Sequence, residues 1–109
     1  MRLAIALEGE DVSGHFGHCE KYALFQVENG RADRERDVLS PGHEPGKLPI
    51  FLADLKVDMV IAGGMGPKAV ELFQQRGIDV ILGVKGDASH VADTFAAGRL
   101  QPGVSSCHH

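Results

Sequence analysis

The stretch VDMVIAGGMGPKAVELFQQRGIDVILGV, Val57 to Val84, most narrows the folds open to this chain. It reads as a buried strand, a glycine turn, a helix and a second buried strand. The first apolar run closes in Gly63-Gly64-Met65-Gly66. Pro67 suits the first helical position, where its missing N–H would have no partner anyway, and Gly77 suits the helix stop. Ala69, Val70, Leu72 and Phe73 supply the apolar stripe of that helix. A strand–helix–strand unit within one sheet crosses over right-handed and makes the two strands parallel. Parallel strands need cover on both faces, which predicts a layered α/β protein.

The remaining segments fit that frame. RLAIALE (Arg2–Glu8) predicts another buried strand, and GEDVSGHFGHCE after it reads as a loop. KYALFQVE, then Asn29-Gly30, then RADRERDVL predicts a hairpin, because Asn-Gly suits a two-residue turn with positive φ. The second arm carries Arg31, Asp33, Arg34, Glu35, Arg36 and Asp37. Such a strand belongs at a sheet edge, where charge deters pairing with other chains. SPGHEPGKLP (Ser40–Pro49) reads as a loop leading into a short helix near Leu48–Leu55. DASHVADTFAAG predicts a last helix with Asp87 as N-cap and Gly98 as stop. The expectation is one domain over 1–109, a three-layer α/β/α arrangement on a mixed five-stranded sheet.

Composition removes several classes of function. At 109 residues the chain can bury a core without a disulfide or structural metal. Its net charge of −4 offers no basic field for a phosphate backbone, so no nucleic-acid partner is expected. No apolar run reaches the roughly 20 residues that span a bilayer, so no membrane partner is expected either. The N-terminal segment lacks a signal peptide's length and cleavage site. Two cysteines make no disulfide framework, and a cytoplasmic protein with reduced thiols is expected.

Metal-liking side chains gather at two places. His15-Phe16-Gly17-His18-Cys19 puts imidazole and thiol on a glycine-flexed loop, and these donors suit zinc, iron, copper or nickel. The spacing matches no standard zinc pattern. The competing reading is a loop of surface histidines with Cys19 as a small buried hydrophobe. Cys107-His108-His109 is the second cluster, a tail that could swing onto a site elsewhere. Two terminal histidines also fit the remnant of a purification tag, although such tags carry more histidines and seldom follow a cysteine. Whether the two clusters meet is left open.

Gly63–Gly66 offers a third feature. Backbone N–H groups in that turn, helped by the dipole of the following helix, suit an anion. Gly64-Met65-Gly66-Pro67-Lys68-Ala69 fits G-x-G-x-x-A, but no acidic residue ends the next strand to hold a ribose, and no Walker A motif follows. The competing reading is a plain β–α turn. Because ligands of open α/β sheets bind beyond strand C-termini, this turn and the His15–Cys19 loop should share one rim. Met65 and His43 are weaker ligand candidates, and His90 reads as structural. Glu8, Glu10 and Asp11 form an acidic cluster without obvious partner carboxylates. Nothing in the spacing places a general base beside a nucleophile, so no enzyme is expected.

RLAIALEGEDVSGHFGHCEKYALFQVENG, VDMVIAGGMGPKAVELFQQRGIDVILGV and the ending Cys-His-His resemble the dinitrogenase iron–molybdenum cofactor biosynthesis family. That family includes nitrogenase cofactor carriers and the orange protein of sulfate reducers. His-Phe-Gly at 15–17 and Gly-Gly-Met-Gly at 63–66 look like its hallmarks. The resemblance implies a ribonuclease H-like fold with strand order 3-2-1-4-5, without nuclease carboxylates. It implies non-enzymatic binding of an anionic metal–sulfur cluster containing iron, molybdenum or both. The implied cluster-binding residues are Phe16, Gly17, Gly63, Gly64, Met65 and Gly66, with His15, His18, Cys19, Cys107, His108 and His109 as metal ligands. The subgroup with FGHCEK is similar to stand-alone proteins found beside iron–sulfur ATPases, which makes such donors or acceptors the expected partners. Two other readings stay open, a single zinc or nickel ion and a metal-free interaction module.

Overall fold

The computed structural model describes residues 1–42, 44 and 46–100. Its strands are β1 (Arg2–Glu8), β2 (Asp11–Val12), β3 (Lys21–Glu28), β4 (Arg31–Leu39), β5 (Met59–Ile61) and β6 (Asp79–Ile81). Its helices are α1 (Lys47–Asp54), α2 (Pro67–Gln75) and α3 (Ala88–Ala96), with a 3-10 turn at Phe16–His18. The strands form one sheet in the order β4-β3-β1-β5-β6, with β2 paired to β1 off that path. β1 is antiparallel to β3 and parallel to β5, and β5 is parallel to β6.

The expected mixed α/β class is present, but the expected count of five strands is corrected to six. The expected order 3-2-1-4-5 has no place for β2. That two-residue strand has no local signal because distant backbone holds it. Val12 N–H donates to Gly86 O at 2.9 Å, and Ala88 N–H donates to Glu10 O at 2.9 Å. Leu7 pairs with Val12 across the tight turn between β1 and β2.

β1 is the central strand, and its unbroken apolar run reflects cover on both faces. Ala4 and Ala6 face the core under α1 and α2, where Leu24 and Tyr22 stand opposite them in β3. Leu3, Ile5 and Leu7 face the core under α3, with Phe25 and Ala23 opposite Leu3 and Ile5. Small residues thus sit beside large ones on each face, which fills both cores without overpacking. Leu48 and Leu52 of α1, four apart, dock on the first core. Ala88, Val91 and Ala92 of α3 dock on the second. In α2 only Phe73 of the expected stripe is fully buried, while Ala69, Val70 and Leu72 stay half-exposed.

The local signals act as their chemistry dictates. Asn29 and Gly30 both take positive φ, 52° and 78°, as a primed hairpin turn requires. Asp87 caps α3 by accepting the His90 N–H at 2.9 Å. The charged strand β4 lies at the sheet edge. Its Arg34 donates to Asp37 through Nε and Nη2, reaches Glu10 through Nη1 at 2.9 Å and lies 5.8 Å from the Phe25 ring centroid. Among the described residues no helix is long and apolar enough to cross a membrane.

Candidate functional site

Because β1, β5 and β6 are parallel, the segments that follow them emerge at one end of the sheet. The backbone there is locked tightly. Ser13 N–H donates to Ala6 O at 2.8 Å, Gly63 N–H to Ser13 O at 2.7 Å, and Gly83 N–H to Gly63 O at 3.0 Å. Phe16 N–H donates to Gly64 O at 2.9 Å. The two lips therefore touch backbone to backbone. A Cβ on Gly63 would lie 2.9 Å from Gly14 Cα and 3.0 Å from Ser13 O, and a Cβ on Gly64 would lie 2.7 Å from Gly14 O. Gly63 and Gly64 serve the close approach of two chain segments, since neither has positive φ.

The 3-10 turn presents the histidines. His18 N–H donates to His15 O at 3.0 Å, closing an i to i+3 bond. His15 stands in extended backbone just before the turn and His18 at its end, and this bond brings the two side by side. Their ring centroids are 6.2 Å apart at an interplanar angle of 82°. Both side chains are exposed, whereas Phe16 between them is only 2% exposed. The Phe16 ring packs on Tyr22 at 5.2 Å and edge-on to Phe73 at 5.3 Å. Phe16 is thus a core residue that anchors the turn.

Cys19 is also buried, at 4% exposure, and is in no disulfide. Its thiol donates to Phe16 O at 3.3 Å, and the Tyr22 hydroxyl donates to the same oxygen at 3.3 Å. Burial pushes the Cys19 thiol above its ordinary range, against the smaller lowering effect of the neighbouring Tyr22 hydroxyl. Burial, then the neighbouring Cys19, push the Tyr22 phenol up as well. Both groups are therefore held in their neutral, donating forms.

Two pockets meet at the histidines. One, of about 410 Å³, is lined by Gly14, His15, Phe16, Gly17, His18, Gly64, Met65 and Gly66. The other, of about 350 Å³, shares His15 and His18 and adds Ser13, Cys19, Glu8, Glu20 and Lys21. The structure thus brings His15, His18, Gly17, Gly64, Met65 and Gly66 to one cavity, whereas Gly63 lines a separate pocket with Gly64 and Met65. Gly66 precedes α2 without any side-chain cap, so the helix N-terminus opens beside the same cavity. Among the described residues no group of three or more His, Cys, Asp or Glu side chains is placed to hold a metal ion. Cys107, His108, His109 and His43 lie outside the described residues. Of the acidic cluster, Glu8 stands opposite Asp11 in the β1–β2 pair, while Glu10 is paired with Arg34. Sequence reasoning missed Ser13, Gly14 and Tyr22. Tyr22 is the chain's single tyrosine, three residues past Cys19, which was the available signal.

A three-layer α/β/α protein with a histidine turn and a glycine turn locked together at its strand ends is the class that this geometry defines. The family model described as dinitrogenase iron-molybdenum cofactor matches residues 1–98, and the chain belongs to that family. The uncharacterized protein MJ0580 of Methanocaldococcus jannaschii is 27% identical over 107 residues, covering 93% of this chain and 90% of that protein. The crystal structure of PH0822 matches with a TM-score of 0.88 at 34% identity, over 95% of this chain and 96% of that one. The crystal structure of MJ0327, also from Methanocaldococcus jannaschii, has a TM-score of 0.72 at 15% identity, over 98% of this chain and 97% of that one. The last likeness is one of fold alone.

Proposed function

We propose that this protein binds an anionic metal–sulfur cluster, of iron, molybdenum or both, as cargo for carriage or assembly and without turnover. One observation carries the reading. The larger of the two histidine-lined cavities is walled by two imidazoles, a thioether and glycine backbone, with no carboxylate among its lining residues. Such walls suit a soft, negatively charged body and repel none of its charge. Imidazole N–H groups and backbone N–H groups donate to sulfide, and an imidazole nitrogen can ligate a metal vertex. The uncapped start of α2 adds a positive dipole end. Family membership supports a role in the biosynthesis of the nitrogenase cofactor or of a related cluster. The same proposal takes the fold as ribonuclease H-like and the partners as cluster donors or acceptors, such as iron–sulfur ATPases.

The test is anaerobic purification of the untagged protein, followed by metal and acid-labile sulfide analysis and a visible spectrum. Iron or molybdenum with sulfide and a charge-transfer band, lost in a His15→Ala/His18→Ala double variant, is the expected result. One zinc or nickel per chain without sulfide would replace the cluster with a single ion. A colourless protein that also fails to take up a cluster on reconstitution would remove the metal reading and leave an interaction module.

A further inference from the structure

Two buried donors converge on one backbone oxygen at this site. The Phe16 carbonyl accepts from the Cys19 thiol and from the Tyr22 hydroxyl, each at 3.3 Å. A carbonyl has two lone pairs, so both are used. On its other side, Phe16 N–H donates to Gly64 O at 2.9 Å. This single peptide neighbourhood therefore ties the histidine turn to β3 behind it and to the glycine turn across the cavity. The Cys19 sulfur is 4% exposed as a residue and turned to the Phe16 carbonyl, while His15 and His18 stand exposed. To ligate a metal it would have to give up its proton and this bond, and leave the Phe16 oxygen short of a donor in a buried place.

We infer that Cys19 and Tyr22 are positioning residues, which hold the Phe16 carbonyl and so fix the turn that presents His15 and His18, and that the Cys19 sulfur takes no place in the coordination of the bound cluster. The inference deepens the cluster-binding reading and rests on it for the identity of the ligand. It also narrows the cargo. Cys19 lines only the smaller of the two cavities at the histidines; in the larger one the described lining residues offer imidazole, thioether and backbone. The site then takes a preassembled species whose own sulfides complete its metal coordination, and holds it by hydrogen bonds and imidazole contact. A cluster that needs a thiolate from the Cys19 position would not be held.

The probe is tetrathiomolybdate, a sulfide-complete anion, titrated anaerobically by its visible absorption against wild type, Cys19→Ser, Cys19→Ala and Tyr22→Phe. Serine keeps a donor at the position and alanine does not. Cys19→Ser should bind within about threefold of wild type with the same bound spectrum, while Cys19→Ala and Tyr22→Phe each weaken binding by roughly fivefold, the scale of one net hydrogen bond. Serine failing as badly as alanine, or shifting the bound absorption band, would make the sulfur a ligand and overturn the inference. Equal affinity in all four proteins would overturn it too. Amide hydrogen exchange at Phe16 and His18 gives a second measure that needs no ligand. Exchange should quicken in Cys19→Ala and Tyr22→Phe and be restored in Cys19→Ser. If wild type takes up no thiomolybdate while that exchange pattern holds, the cluster reading fails and the positioning role stands. An unchanged exchange pattern sinks the positioning role whatever the probe does.

Discussion

Replacing Gly63 with alanine tests the lock between the two lips of the site. The new methyl would lie 2.9 Å from Gly14 Cα, 3.0 Å from Ser13 O and 3.4 Å from Val84 O, all of them backbone atoms. Relaxed contacts between carbon atoms fall at about 3.5–4.0 Å, so the two segments must part by roughly 0.5–1 Å. No flexible side chain can swing away to make that room. The displacement stretches Gly63 N–H to Ser13 O, now 2.7 Å, and strains Phe16 N–H to Gly64 O, now 2.9 Å. Overpacking of this kind costs about 1–3 kcal/mol, and a weakened hydrogen bond adds about 1 kcal/mol. A total of about 2–4 kcal/mol follows, or a fall in Tm of roughly 10–20 °C for a domain near this size. Urea denaturation followed by circular dichroism gives the change in midpoint at constant m. Gly17→Ala is the control, because a Cβ there meets nothing within 4 Å and its φ is not positive. It should stay within about 0.5 kcal/mol of wild type. If Gly63→Ala is as stable as Gly17→Ala, the backbone contact that unites the two lips does not exist in solution.

Other expectations follow from the same geometry. Asp87→Ala removes the cap on the His90 N–H and should cost about 1 kcal/mol in a urea titration. His15→Ala and His18→Ala, at exposed positions, should leave stability within about 0.5 kcal/mol yet weaken tetrathiomolybdate binding by about tenfold each, read by visible titration. The folded pKa values of Cys19 and Tyr22 both lie above their ordinary values of 9.0 and 10.0. The stability tied to their neutral forms is therefore complete below about pH 8 and lost as pH rises, because the unfolded chain releases these protons first. The denaturation midpoint should fall between pH 8 and pH 11, and a Cys19→Ser/Tyr22→Phe variant should flatten that fall.

Where a structural cause was local, the sequence showed it. Asn29-Gly30 marked a primed turn because few other dipeptides accept positive φ twice, and Pro67 and Asp87 marked helix starts through their own backbone chemistry. The charged run of β4 marked an edge because that many charges cannot be covered. The parallel unit around Gly63–Gly66 and the shared rim followed from connectivity alone. What stayed hidden depends on distant partners. β2 is held by Val12 N–H to Gly86 O and by Ala88 N–H to Glu10 O, and Gly86 and Ala88 lie far along the chain from it. The half-exposed Val70 and Leu72 look like core at helical spacing, but α2 packs near β6 at the sheet's margin and beside only part of α1. The convergence of Cys19 and Tyr22 on one carbonyl needs three-dimensional placement that no residue pattern encodes.

His-Phe-Gly-His makes chemical sense only when its four residues are divided by direction. His15 enters the turn in extended backbone and His18 ends it, with their ring centroids 6.2 Å apart, while Phe16 is buried. Phe16 accordingly turns inward onto Tyr22 and Phe73, and its burial is what keeps the outward pair in place. Gly17 has open space around its Cα, which leaves the floor between the imidazoles clear. A larger residue there would stand in the cavity rather than strain the fold. These four residues therefore combine an anchor, a gap and two presented imidazoles. On this view Gly17→Leu should fold like wild type, since nothing lies within 4 Å of a Cβ at that position, yet exclude tetrathiomolybdate by bulk. A Gly17→Leu protein that binds the probe as well as wild type would place the bound probe elsewhere on the rim and break the link between this turn and the cavity.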